Sequence, residues 1–115
     1  MSSGVRGMAR LTFHEGGREE FERLSTQLVE EMREKDTRTL SYEIYIDDEG
    51  SEVVFLEHFE DSDALIEHNG NVAEVLQAAL ATGTVTAAVF GPASAELKAM
   101  SAGAPVRFYT LLRSL

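Results

Sequence analysis

The chain has 115 residues, 43% of them hydrophobic and 26% charged, with no cysteine and a formal net charge of −10. Such a chain forms one small domain with a modest core, which excludes wholesale disorder, and without thiols it has no disulfides, thiolate catalysis, thiolate-bound zinc or iron–sulfur clusters. The acidity is concentrated in residues 15–67, where eighteen acids face five bases; with no basic stripe, neither nucleic acid nor an anionic membrane is an expected partner.

Residues 1–7 read as a flexible leader without the apolar stretch of a secretory signal, and no apolar run reaches the ~20 residues of a membrane span, which predicts a cytoplasmic protein. Met8–Phe13 alternates as a strand, and His14-Glu15-Gly16-Gly17 is a turn. Over Arg18–Lys35 the apolar residues Phe21, Leu24, Leu28, Val29 and Met32 fall on one helical stripe. Thr39–Asp47 then alternates, with Leu40, Tyr42, Ile44 and Ile46 on one face and Ser41, Glu43 and Tyr45 on the other. The polar turn Asp47–Ser51 leads into a second strand, Glu52–Phe59, completing a hairpin. That strand is apolar on both faces, with Val53, Phe55 and Phe59 on one and Val54 and Leu56 on the other, so it needs cover on both. Asp61-Ser62-Asp63 offers N-caps for a helix through His68. Asn69-Gly70-Asn71 interrupts that helix, and the pattern resumes from Val72 to Leu80 with Gly83 as a C-terminal stop. Thr84–Phe90 is a strand, Ser94 caps a short helix through Met100, and Val106–Leu112 is a last strand.

The order β-α-β-β-α-β is the ferredoxin-like α+β arrangement, an antiparallel sheet with two helices on one face, here with an added short helix and strand over 91–115. Two helices cover one sheet face only. The expected cover for the other is a second copy, giving a homodimer packed sheet to sheet, with Val106–Leu112 a candidate for crossing to the partner.

The first helix after Gly16-Gly17, Thr39-Leu40-Ser41-Tyr42-Glu43, Val53-Val54-Phe55-Leu56-Glu57-His58-Phe59 and Asp61–His68 together resemble the antibiotic biosynthesis monooxygenase domain family of dimeric α/β barrels. The likeness spans residues 8–90; Thr37-Arg38-Thr39 stands where the family often has a glycine, and 91–115 extends beyond the common core. The resemblance implies a monooxygenase that oxidises a quinol or aromatic polyketide-like molecule with O2 and needs no cofactor. In that chemistry a base deprotonates an electron-rich phenol or enol, and the anion reduces O2 in a dry pocket. His68 matches the family's helix-borne histidine and is the candidate catalytic base. Asn69, Glu57, Tyr42 and Tyr45 are the candidate substrate-binding residues, Glu57 matching the family's strand glutamate.

Each residue also has an ordinary structural role open to it. His68 could bond a backbone carbonyl or seal the dimer seam, Glu57 could pair with Arg10 or Arg38, and Tyr42 and Tyr45 could be core or interface aromatics. His58 neighbours Glu57 on the strand and points to the other face, and His14 beside the turn is expected to be exposed. No metal site is expected, since the three histidines have no ligand spacing, and there is no dinucleotide or phosphate loop. Related barrels that degrade haem use a tryptophan, and this chain has none. The alternative function is a non-catalytic dimeric α/β barrel that binds a small apolar ligand or only dimerises.

Overall fold

Why these segments become a sheet with helices on one side follows from where their apolar residues point. The computed structural model describes residues 4–115 and contains, in order, β1 (Val5–Phe13), α1 (Gly17–Lys35), β2 (Thr39–Ile46), β3 (Glu52–Phe59), α2 (Ser62–Asn71), α3 (Ala73–Leu80), β4 (Gly83–Phe90), α4 (Ala95–Met100) and β5 (Val106–Tyr109). The sheet order is β2-β3-β1-β4-β5, antiparallel except for the parallel β4–β5 pair, and the sheet stays open. This is the expected α+β, ferredoxin-like arrangement with a fifth strand. No helix among the described residues is long and apolar enough to cross a membrane.

On the helix side, Leu11, Val53 and Phe55 pack against Phe21, Leu24, Leu28 and Met32 of α1 and Val72, Val75 and Ala79 at the head of and along α3. A second cluster joins Val5, Phe59, Ala64, Leu65, Val89 and Leu97. Val5 is fully buried there, so β1 begins three residues earlier than its alternation indicated. Residues 1–3 of the expected leader lie outside the described residues, and Val5–Gly7 belong to the strand.

Other differences have local causes. A bulge between Thr39 and Ser41 rotates Leu40 away from Tyr42 and Ile44, leaving it 55% exposed; the extra residue breaks the period-2 pattern. The second helix is not interrupted at Asn69-Gly70-Asn71. It runs through Asn71 and bends at Val72 (φ −115°, ψ 15°), because Asn71 donates its amide to Asp36 at 2.9 Å and is held in the helical path. Gly83 is not the helix stop either; α3 ends at Leu80, and Gly83 opens β4 where a Cβ would collide with the Thr12 carbonyl oxygen. β5 ends at Tyr109 and pairs with β4 of its own chain, since the α4 crossover returns it parallel to β4. Ser94 caps α4 by accepting from Leu97 N–H at 3.1 Å, and its own N–H donates to Ser62 Oγ at 2.9 Å, tying α4 to α2.

Candidate active site

Strand parity decides which side chains reach the space under the helices. Residues 53, 55, 57 and 59 of β3 face α1 and α2, so Glu57 points into the same layer as Phe55 and Phe59 while His58 points to the opposite face. In register, Glu57 lies between Gly7 on β1 and Tyr42 on β2. Gly7 has no side chain, and a Cβ there would sit 3.5 Å from Glu57 Oε1, so the carboxyl folds over that glycine.

His68 is 1% exposed on the inner face of α2, ringed by Tyr42 and Phe59 with centroids at 5.2 Å each. Its Nδ1 is 2.8 Å from Asp36 Oδ2. Asp36 stands just after α1 in an extended conformation, and its side chain is 4% exposed. It also accepts from Thr39 Oγ1 at 2.7 Å and from Asn71 Nδ2 at 2.9 Å. Burial pushes the Asp36 carboxyl up, but the bonds from Asn71, Thr39 and His68 outweigh it and hold the group below the usual carboxylate range. An ionised Asp36 selects the tautomer with the proton on Nδ1, so Nε2 keeps a lone pair. Thr37 fixes the same junction, its N–H and hydroxyl both donating to Glu67 of α2 at 2.8 Å.

A cavity of about 260 Å³ opens beside these groups. Its walls are Gly7, Ala9, Ala87 and Val89 of the sheet, Leu65, Leu76 and Leu80 of α2 and α3, and the Leu97–Val106 stretch of α4 and its exit. Tyr42, Glu57, His68 and Asn69 all line it. Four of the five expected site residues thus converge, and Tyr45 does not. It sits three positions from Tyr42, hence on the other sheet face, 52% exposed, where the Glu43 carboxylate pushes its hydroxyl up. Among the described residues Glu57 does not pair with Arg10 or Arg38, and the Nδ1 of His68 is held by Asp36 rather than by a backbone carbonyl. Arg10 faces outward and pairs with Glu52 at 3.5 Å; Arg38 pairs with Glu67 at 3.3 Å and Asp61 at 3.7 Å. Glu57 has no ion pair with either, and burial pushes its carboxyl up to about 7. Burial and the nearby negative charges of Glu57 and Asp36 push the Tyr42 hydroxyl well up, so it remains a donor at neutral pH. Among the described residues, no three His, Asp or Glu side chains form a metal-binding group.

Sequence reasoning missed Asp36 and the Leu97–Val106 wall. An available signal for Asp36 was its position: an acid at a helix C-terminus opposes the dipole, where Arg33 and Lys35 favour it.

Residues 5–82 match the family model described as "Antibiotic biosynthesis monooxygenase". The chain belongs to this family. No curated protein matches it significantly. Among solved structures, MupZ from Pseudomonas fluorescens superposes with a TM-score of 0.86 at 21% identity, covering 100% of this chain and 90% of that one. Rv0793 from Mycobacterium tuberculosis gives 0.68 at 25% identity, over 80% of this chain and 97% of its own. SnoaB, a cofactor-independent oxygenase from Streptomyces nogalater, gives 0.68 at 17% identity, over 81% and 96%. In antibiotic biosynthesis monooxygenase terms, Asp36, Tyr42, Glu57, His68 and Asn69 all fall within the matched segment, whereas part of the cavity wall lies beyond it.

Proposed function

We propose that this protein is a cytoplasmic, cofactor-independent monooxygenase that oxidises a quinol or aromatic polyketide-like substrate with O2 in the cavity beneath the sheet. One observation carries this reading: a histidine anchored by a buried carboxylate and a second, unpaired carboxyl open into one apolar cavity. A packed core would fill that space and pair that charge. With Nδ1 held by Asp36, Nε2 of His68 takes the proton of a bound phenol or enol, and the aspartate stabilises the imidazolium formed. The substrate anion is then electron-rich enough to reduce O2. Asn69 and Tyr42 offer donors to its oxygens, and the walls around it are mostly apolar. The cavity lies at the small end of ligand pockets, favouring a substrate of few rings. The family and the cofactor-independent SnoaB support the reaction type. A barrel that only dimerises would be expected to have a filled core with His68 on a backbone carbonyl; the cavity and the Asp36 partner of His68 speak against that form of the alternative.

Oxygen uptake with a panel of hydroquinones tests this. The wild type is expected to consume O2 above the buffer rate, and His68→Ala to lose about a hundredfold or more of that rate. No uptake above buffer with any member, or full uptake in the variant, refutes the assignment of His68.

The working unit is proposed to be a homodimer joined through the outer sheet face. One cross-strand row on that face runs from Glu43 on β2 through Leu56, Met8 and Ala88 to Arg107 on β5. It is apolar in the middle, with Leu56 41% exposed, and oppositely charged at its ends. A two-fold axis parallel to the strands brings Glu43 of one copy against Arg107 of the other and buries the apolar centre. Phe90 and Tyr109, stacked with centroids at 5.2 Å, extend the surface. Light scattering is expected to give a dimer at micromolar concentration and a monomer for Leu56→Glu; a stable wild-type monomer refutes the pairing.

A further inference from the structure

His68 accounts for one proton, yet the cavity holds a second proton-handling group placed as deliberately as the first. Glu57 enters from the sheet wall and His68 from the helix wall, with Tyr42 between them, opposite Glu57 in register and with its ring 5.2 Å from that of His68. Gly7 leaves the carboxyl room to stand over the sheet, and no arginine, lysine or hydrogen-bond donor among the described residues neutralises it. A charge with no structural partner in an apolar cavity has a stability cost and no packing benefit. Two groups able to exchange a proton, facing one small apolar space, match enolisation, in which one atom loses a proton as another gains one.

We propose that Glu57 and His68 form a catalytic acid–base pair that enolises a small cyclic ketone bound in the cavity, in a step that uses no oxygen. It rests on the reading of this cavity as the active site and deepens it by assigning Glu57 the role of acid and a fused two-ring ketone, or its enol, as the substrate class. His68 Nε2 takes a proton from the carbon beside the carbonyl, and the C–H electron pair becomes the new C=C bond. The carbonyl π pair moves to oxygen, which takes the proton from the Glu57 carboxyl. The products are the enol, the imidazolium and the Glu57 carboxylate; reversal restores all three, and nothing is oxidised or reduced. In oxygenation the same enol is the species that meets O2.

The pair supports Glu57 as acid because its carboxyl is pushed up to about 7 and is substantially protonated at neutral pH. Tyr42, its hydroxyl pushed well up, stays neutral beside it, and Asp36 is committed to His68, Thr39 and Asn71.

The test is hydrogen–deuterium exchange at the carbons next to the carbonyl of 2-tetralone, a fused two-ring ketone, followed by proton NMR under argon in D2O with the full-length protein. The wild type is expected to exchange it at least about a hundredfold faster than buffer, and Glu57→Gln to return to within twofold of buffer while its circular dichroism and melting remain those of a folded protein. Ala87→Leu, which fills the cavity from β4 and leaves both groups in place, is expected to abolish exchange as well. Wild-type exchange no faster than buffer, or a Glu57→Gln rate within twofold of wild type, overturns the proposal. The oxygenase reading fails separately: exchange under argon with no oxygen uptake in air removes that reading and leaves the pair, and uptake without exchange does the reverse.

Discussion

Glu57→Gln is expected to be more stable than the wild type at pH 8 and equally stable at pH 4. The carboxyl is pushed from 4.5 up to about 7 in the fold by burial, so the folded state holds its proton more tightly than the unfolded chain does. Below pH 4.5 both states are protonated and nothing is lost. Between 4.5 and about 7 the unfolded chain ionises first and stability falls with rising pH; above about 7 the full cost is in place. A shift of that size costs the ionised fold up to roughly 3 kcal/mol, which Gln, neutral at every pH, does not incur. Urea melts at a series of pH values measure it directly. Equal midpoints for the two proteins at pH 8 would show that Glu57 ionises freely and would remove its role as an acid. A gain in stability paired with a loss of exchange is the signature of a group retained for function.

Asp36→Ala is expected to lower stability by about 3 kcal/mol, because it strips the acceptor from three donors at once: His68 Nδ1–H, Thr39 Oγ1 and Asn71 Nδ2. Each buried donor left without a partner costs about 1–3 kcal/mol, partly relieved by water entering the space. The melting temperature should fall by roughly ten degrees or more. Asp36→Asn keeps one acceptor oxygen at the same place and is expected to lose about 1 kcal/mol. The deficit of the alanine variant should narrow in acid. Asp36 is held below the usual carboxylate range, so its contribution is present above that range and lost as pH falls through its lower folded value. Thermal melts at neutral pH and in acid check both statements, and an alanine variant as stable as wild type would mean that Asp36 does not anchor His68.

Much of this was legible because it depends on periodicity. The stripe from Phe21 to Met32 and the two-sided Glu52–Phe59 strand imply helices on one sheet face and an apolar surface on the other. Strand parity puts Glu57 and His58 on opposite faces, but that α2 docks so as to bring His68 and Asn69 to the same cavity as Glu57 and Tyr42 depends on tertiary packing that periodicity does not carry. Parity also argues against Tyr45, three residues from Tyr42. The position of Asp36 at the end of α1 marks it as unusual, but its partner is not legible, because the partnership spans 32 residues and rests on a single extended residue after a helix. Leu40 was misplaced because a bulge is a one-residue event invisible to alternation. The cavity itself is made by absent atoms, at Gly7, Ala9 and Ala87, and small residues in strands carry no signal of whether space is filled from elsewhere.

The candidate residues Tyr42, Glu57, His68 and Asn69 lie within 5–82, while Leu97, Ser101, Ala104, Pro105 and Val106 line the cavity from outside that segment. The candidate polar residues thus lie in one stretch of chain and part of the wall in another, tied together by the Ser94–Ser62 hydrogen bond and by the packing of Leu97 against Val5, Phe59 and Leu65. Drift or engineering in the last 25 residues can resize the chamber without touching Glu57 or His68, so its shape can change by exchanging a tail rather than rebuilding a centre.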